Sequence, residues 1–350
     1  MSYRRLHGFI PPYILDRIIR KGTEHQRQCA LGTLAHVQQL LPNPGPPQQT
    51  AIAALPERGR PGQPLRSIHD AEQLMQLPGR QVRIEGQPPT DDAAVDEAYD
   101  ALGATYAFFW EVLGRDSIDN QGFPLVGTVH YGQGYENAFW NGAQMVFGDG
   151  DGEIFHRFTR SLDVVAHELA HGVTESEAGL VYYNQSGALN ESMSDVFGVL
   201  TVQYLQRQTA DQADWLIGAD LLTDKVQGVA LRSMANPGSA YDDPLLGKDP
   251  QPGHMRDFIE TRDDNGGVHL NSGIPNRVFY LAATAIGGYA WEKAGRIWYD
   301  TLCDRRLAND ADFLAFARLA LDHASSRFGA ASSERRAVEQ AWAEVGIELT

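Results

Sequence analysis

The spacing of apolar positions changes along this chain, and the changes divide it. Between 91 and 114, Val95, Tyr99, Leu102, Tyr106 and Trp110 recur at helical spacing behind an acidic first turn, which predicts an amphipathic helix. On either side, at 65–87 and 122–155, short apolar runs such as Val126-Gly127-Thr128-Val129 and Met145-Val146-Phe147 are broken by turn residues, as strands are. From Ser161 onward the helical period dominates, through 164–173, 187–198, 273–286, 291–307, 311–328 and 333–345, with stops at Gly329 and Gly346. The expectation is an α+β fold: a sheet-rich N-terminal lobe, 56–160, then a helical C-terminal lobe, 161–350. Ahead of both, 9–19 and 30–41 make a short amphipathic helical unit, too small to bury a core of its own and in need of a surface to lie on. Residues 42–64 are rich in Pro, Gly and Gln, the composition of an exposed linker. Residues 1–55 are therefore read as a separate segment with its linker.

Composition narrows the partners. The 350 residues carry 29 Lys and Arg against 45 Asp and Glu, a formal charge of -16. Nucleic acid and anionic membranes call for a concentrated cationic face, so neither is expected as a partner. No apolar run reaches the ~18 to 20 residues of a membrane span. The basic start Met1-Ser2-Tyr3-Arg4-Arg5 is followed by Gly8, Pro11 and Pro12 rather than by the apolar core of a signal peptide. A cytoplasmic location or export by a non-classical route is expected. Cys29 and Cys303 are too few for a disulfide framework and lie in no C-x-x-C motif, so both are expected to be reduced.

One stretch carries chemistry. In Val164-Val165-Ala166-His167-Glu168-Leu169-Ala170-His171-Gly172-Val173, a helix would set His167 and His171 one turn apart on one face. Two neutral imidazoles can fill two positions of a tetrahedral zinc, and Glu168 is placed to take a proton from a water that the metal has acidified. With 11 His in the chain, the pattern would arise by accident in on the order of a few per cent of such chains. A catalytic zinc asks for a third ligand. Glu191 and Asp195 share a face at i and i+4 among Leu189, Met193, Val196 and Phe197, where acidic residues need partners. Glu191 would complete the site, and Asp195 would accept the second N–H of a ligand histidine, most plausibly His167.

With nineteen residues between His171 and the Glu191 of Asn-Glu-Ser-Met-Ser-Asp, the chain resembles the thermolysin-like neutral metalloproteases. The resemblance extends, in order, through Tyr131–Trp140, Gly148-Asp149-Gly150-Asp151-Gly152, Leu231-Arg232-Ser233-Met234 and Asp264-Asn265-Gly266-Gly267-Val268-His269-x-Asn271-Ser272-Gly273. It implies a zinc endopeptidase with the zinc helix at the junction of the two lobes, peptides or proteins as substrates, and a monomer. It also implies that Tyr182 and His269 stabilise the oxyanion of the tetrahedral intermediate, with Asp264 orienting His269 and favouring its protonated form. Tyr183 is the alternative to Tyr182 by register. Asn137 and the carbonyl of Ala138 would pair with an extended substrate, and Arg232 would bond a substrate carbonyl beyond the cleaved bond. Phe155, Phe158, Val164, Ile217, Leu221 and Leu231 would line the primary specificity pocket. All six are apolar, which predicts preference for a hydrophobic residue just after the scissile bond, with Phe158 narrowing the pocket.

The resemblance also has a gap. Asp163 and Asp214 match a double calcium site beside the cleft, but Val202, Leu216 and Ala219 stand where carboxylates are expected. Losing three acidic donors should abolish at least one ion, so a double calcium site is not expected. Asp149 and Asp151 could bind a cation, but a glycine-rich acidic stretch reads first as a simple turn.

The segment Pro11-Pro12-Tyr13-Ile14-Leu15 resembles the short propeptide of the protealysin-type subgroup. It implies a zymogen whose own N-terminal segment inhibits it, matured between about 42 and 64, where extended chain is easiest to cut. Cys29 could act as a thiolate on the zinc or simply pack in a core; its helical surroundings favour packing. Two rival readings remain at this point: a zinc aminopeptidase, which needs carboxylates to grip a free amino terminus, and a catalytically silent binding module that has kept its zinc.

Overall fold

The computed structural model describes residues 7–39 and 58–349. Most of the expected linker and maturation region, 42–57, therefore lies outside the described residues. The chain forms two compact units, one from Met1–Gly172 with Asp220–Val226, the other from Val173–Ala219 with Gln227–Thr350.

The first unit holds a six-stranded sheet. In chain order its elements are β1 (His7–Gly8), α1 (Pro12–Lys21), α2 (Glu24–Gln39), β2 (Arg66–Asp70), β3 (Arg80–Ile84), α3 (Ala93–Leu113), β4 (Leu125–Val129), β5 (Ala138–Trp140) and β6 (Met145–Phe147). The strand order is β1-β5-β6-β4-β2-β3. Strands β2, β4 and β6 run parallel, while β3, β5 and β1 add antiparallel edges. Ile68, Leu102 and Phe147 converge on Gly127, where the sheet meets α3.

Helix α3 forms where the periodicity predicts. Asp92 caps it by accepting from the Ala94 and Val95 N–H groups, and Gly114 ends it at φ 71°. Val95, Tyr99, Leu102 and Tyr106 are buried, but Trp110 is 38% exposed. By its fifth turn the apolar stripe has left the core, and the indole is instead met by Gly62 of the segment before β2.

The N-terminal helical unit finds the surface it needs. Strand β1 pairs with β5, His7 opposite Trp140 and Gly8 opposite Phe139. Ile14, Leu15 and Ile18 of α1 are buried. From α2, His36 reaches into a cluster of Tyr131, Tyr135 and Phe139, its ring centroid 5.4 to 5.7 Å from theirs.

The helical part continues with α4 (Leu162–Glu177), α5 (Asn184–Gln206), α6 (Asp264–Asn271), α7 (Gly273–Ile286), α8 (Ala294–Leu302), α9 (Phe313–Phe328) and α10 (Ser333–Glu344). Two small ribbons, β7 (Leu216–Ile217) with β8 (Arg232–Ser233) and β9 (Asp242–Asp243) with β10 (Gly247–Lys248), interrupt the series. In the second unit, α5 is buried almost all round, as a central helix must be. Beside it an aromatic chain runs Trp215, Phe279, Trp298, Phe316, Trp342, with successive ring centroids 5.9, 5.1, 6.2 and 6.3 Å apart.

Candidate metal centre and active site

Helix α4 carries the two histidines. Val164, Val165, Ala166, Leu169, Ala170 and Val173 are all buried, which fixes the helix and leaves its imidazoles little freedom. The four-residue spacing sets the His167 and His171 rings 4.6 Å apart at 87°. Glu168 is fully buried beside them. Among the described residues, one group of metal-ligating side chains is close enough to hold a single ion: His167, His171 and Glu191, all buried, with their donor atoms within 4.8 Å of one another. Two imidazoles and a carboxylate are the donor set of an open catalytic zinc site, and the chemistry of these residues fits that ion.

A second cluster is built from the segment before α5, from α5 itself and from α6. The Tyr182 hydroxyl donates to Glu191 Oε1 and lies 3.1 Å from His269 Nε2. Tyr183, by contrast, is 45% exposed. His269 Nδ1 is 2.6 Å from Asp264 Oδ1, and the His269 N–H donates to Asp264 Oδ2 at 2.9 Å. A local kink makes that possible: Asp264, Asn265, Gly266 and Gly267 all have positive φ, between 51° and 82°, which turns the carboxylate back toward a ring five residues on. Burial pulls the His269 pKa down, but the charges of Asp264 and Glu191 outweigh it and raise it to about 9. Gln251 Nε2 donates to the His269 carbonyl at 2.7 Å and fixes the backbone.

Asp195 and Arg232 meet in a bidentate pair, Nη2 to Oδ1 at 2.8 Å and Nε to Oδ2 at 3.0 Å. Both are buried, so this is no surface ion pair. Asn276 Nδ2 adds a third donor, 2.8 Å from Asp195 Oδ2. The expected specificity residues Phe155, Phe158, Val164 and Leu221 are each fully buried, and Ile217 and Leu231 nearly so. The Phe155 and Phe158 rings lie 6.1 Å apart, His156 N–H donates to the Leu221 carbonyl, and Leu231 N–H donates to that of Ile217.

The main-chain edge at β5 is occupied by the N-terminal segment. Phe9 N–H donates to the Ala138 carbonyl at 3.0 Å. Ile10 N–H donates to Asn137 Oδ1 at 2.8 Å, and Asn137 Nδ2 returns a bond to the Ile10 carbonyl at 3.3 Å. The Phe9 ring stands edge-on to His167 with centroids 5.1 Å apart. A side chain at position 8 would press on the Asn137 amide, because a Cβ would come within 2.8 Å of Asn137 Nδ2.

The turn residues behave as turn residues. Asp151 Oδ1 accepts the N–H groups of Glu153, Ile154 and Phe155, and Asp149 pairs with His130. Asp163 Oδ1 accepts from Ser161 and from the Val164 N–H at the start of α4, and Asp214 Oδ1 accepts from the Leu216 N–H. Cys29 is a buried thiol whose pKa burial pushes up to about 11. Three residues that sequence reasoning missed belong to these clusters: Phe9, Gln251 and Asn276. Nothing in their local patterns marks them, since each acts through a partner far away in the chain.

The fold and these clusters are those of a metallopeptidase of the thermolysin family, and the chain belongs to it. The thermolysin metallopeptidase catalytic-domain model matches 79–175, the alpha-helical-domain model matches 178–347, and the protealysin propeptide model matches 7–49. The chain is 61% identical to the extracellular metalloprotease of Pectobacterium carotovorum subsp. carotovorum, covering 100% of this chain and 99% of that one. It is 51% identical to protease PrtS of a Photorhabdus species, covering 98% and 92%. Among solved structures, the precursor of protealysin from Serratia proteamaculans superimposes with a TM-score of 0.90 at 61% identity, covering 97% of this chain and 99% of that chain. This protein is thus a thermolysin-like metalloprotease that carries a protealysin-type propeptide, and its family implies a catalytic zinc.

Proposed function

We propose that this chain is the precursor of a zinc endopeptidase that cuts on the N-terminal side of hydrophobic residues and is held inactive by its own N-terminal segment. The carrying observation is the donor set of His167, His171 and Glu191 within 4.8 Å. A zinc bound there supplies Lewis-acid polarisation and acidifies water at neutral pH. Glu168 accepts the proton of the attacking water and hands it to the leaving amine. The Tyr182 hydroxyl and the His269 imidazolium, held by Asp264, donate to the developing oxyanion. Asp195 positions Arg232, whose guanidinium bonds a substrate carbonyl beyond the cleaved bond, and also receives the second N–H of a ligand imidazole. Asn137 and Ala138 hold the extended substrate by main-chain pairing. The apolar character of Phe155, Phe158, Val164, Ile217, Leu221 and Leu231 sets the hydrophobic preference.

Residues 1–55 act as propeptide and linker, 56–160 as the sheet-rich lobe and 161–350 as the helical lobe. Phe9 and Ile10 take the bonds of Asn137 and Ala138 that a substrate would use, so the propeptide inhibits by occupancy. A double calcium site is not part of this reading: Asp163 and Asp214 accept from local backbone and hydroxyl donors, and Val202, Leu216 and Ala219 supply no oxygen ligand from their side chains. The working unit is a monomer acting on peptides and proteins. Among the described residues no helix is long and apolar enough to cross a membrane. Relatives named as extracellular proteases favour action outside the cell. The test is incubation of wild-type and Glu168→Gln precursors, with and without chelator, followed by sequencing of new N-termini. Cleavage between 42 and 64 only in the active form supports the reading; an uncut wild type contradicts it.

A further inference from the structure

Glu136 is a carboxyl group with no evident business where it lies. It is fully buried, and among the described residues neither carboxyl oxygen has a hydrogen-bond partner. It sits beneath helix α2: its N–H donates to Thr33 Oγ1 at 2.9 Å, and its charge acts on the Cys29 thiol of the same helix. Among the described residues, the groups whose charges act on it or on the neighbouring Cys29 offer no cation. From α2 comes the Cys29 thiol, and from the turn after β6 come Asp151 and Glu153, whose charges also act on Cys29. One turn of α2 further on, His36 is bonded through Nδ1 to the Tyr135 hydroxyl at 2.9 Å and through Nε2 to that of Tyr131 at 3.0 Å.

We propose that docking of helices α1 and α2 on the sheet is coupled to protonation of Glu136, so that the propeptide loosens as pH rises. Burial, aided by the Asp151 charge, raises the docked Glu136 pKa from 4.5 to about 9. With α2 lifted away the carboxyl regains water and ionises as an ordinary glutamate. The docked state therefore binds one more proton between those values, and docking weakens as pH rises through that window. His36 runs the other way. Burial holds its docked pKa below 6.5, so docking gains as pH rises toward 6.5 and His36 sheds its proton. The Cys29 thiol, raised to about 11, and the Tyr131 hydroxyl, raised to about 12, stay neutral throughout. Below pH 6.5 the His36 slope opposes that of Glu136. Above it only Glu136 acts, and the propeptide loosens by about tenfold per pH unit up to about pH 9.

This regulation rests on the reading of the N-terminal segment as an inhibitory propeptide, but its test needs no activity. Amide exchange of α2 is followed in the full-chain Glu168→Gln precursor, corrected for intrinsic rates. The opening constant should rise about tenfold per pH unit above 6.5, and adding Glu136→Gln should flatten that rise. A flat wild-type profile above pH 6.5, or an equal rise with Glu136→Gln, overturns the proposal. Should Glu136→Gln fail to fold, the Glu136 carboxyl carbon shift in the otherwise unchanged chain decides: protonated at pH 7 supports the coupling, ionised at pH 7 overturns it. A precursor that is active with α2 protected would instead sink only the inhibitory reading.

Discussion

The ring of Phe9 stands edge-on to that of His167, centroids 5.1 Å apart and planes at 89°. A residue of the N-terminal segment thus covers one of the two histidines of the metal motif, while its own N–H is spent on Ala138. Phe9 is fully buried. Phe9→Ala should cost about 3 to 5 kcal/mol of stability, as large-to-small core changes do. Because the lost contacts are those of the docked propeptide, the intact precursor should also start to cleave a blocked peptide. Denaturant unfolding and initial rates check this together; a variant as stable and as silent as wild type would contradict the occupancy reading.

Metal content separates ligands from the proton acceptor. Purified wild type should carry one zinc per chain, whereas His171→Ala and Glu191→Ala should carry little, since each leaves only two of the three ligands. Glu168→Gln should keep the metal and lose the activity. Elemental analysis of the four proteins decides it.

Arg232 is buried against Asp195 and cannot be treated as a surface charge. Arg232→Met removes the guanidinium and leaves the carboxylate in a dry site with Asn276 still donating to it. The expected cost is about 3 to 5 kcal/mol, the usual consequence of breaking a buried pair from one side. Equilibrium unfolding measures it; a cost within ~0.5 kcal/mol, typical of surface changes, would place the pair outside the stabilising network.

His130 links Asp92, the cap of α3, to Asp149, with both ring nitrogens 2.9 Å from a carboxylate oxygen. The hydrogen bond to Asp149 comes first among the causes that raise its pKa from 6.5 to about 9, against burial. A folded pKa above the unfolded one stabilises fully below pH 6.5 and loses its effect as pH rises through about 9. His130→Asn suits the position, which has φ 54°, and abolishes the titration. The stability gap between wild type and this variant should be widest below pH 6.5 and shrink through pH 9. A gap independent of pH would contradict the assignment.

Much of this was legible in the amino-acid order, and the exceptions share a cause. Helix α3, the buried helices α4 and α5 and the range 273–286 follow from local period, caps and glycine stops, which neighbours in sequence decide. The range 291–307 shortens to Ala294–Leu302, since the flanking residues are turns that carry apolar side chains into the core. The metal group was legible because its spacing is itself local. What stayed hidden depends on contacts between distant residues. Nothing near Ile10 announces its bond to Asn137, and nothing near Asn276 announces Asp195. Glu136 lies inside a motif that marks the family, yet its N–H is bonded to Thr33, a hundred positions earlier. The left-handed run at Asn265–Gly267 was visible as a loop with two glycines, but not as the device that turns Asp264 onto His269.

The most direct measurement is the rate at which the processed protein cuts an N-terminally blocked peptide with a hydrophobic residue after the scissile bond. Wild type should cleave it, lose activity to chelator and regain it with zinc. Glu168→Gln should fold, bind zinc and cut at least about 10² to 10⁴ times more slowly, the range that general-base catalysis supplies. A Glu168→Gln enzyme indistinguishable from wild type, or cleavage indifferent to chelator, would contradict the metal-dependent hydrolase reading at its root.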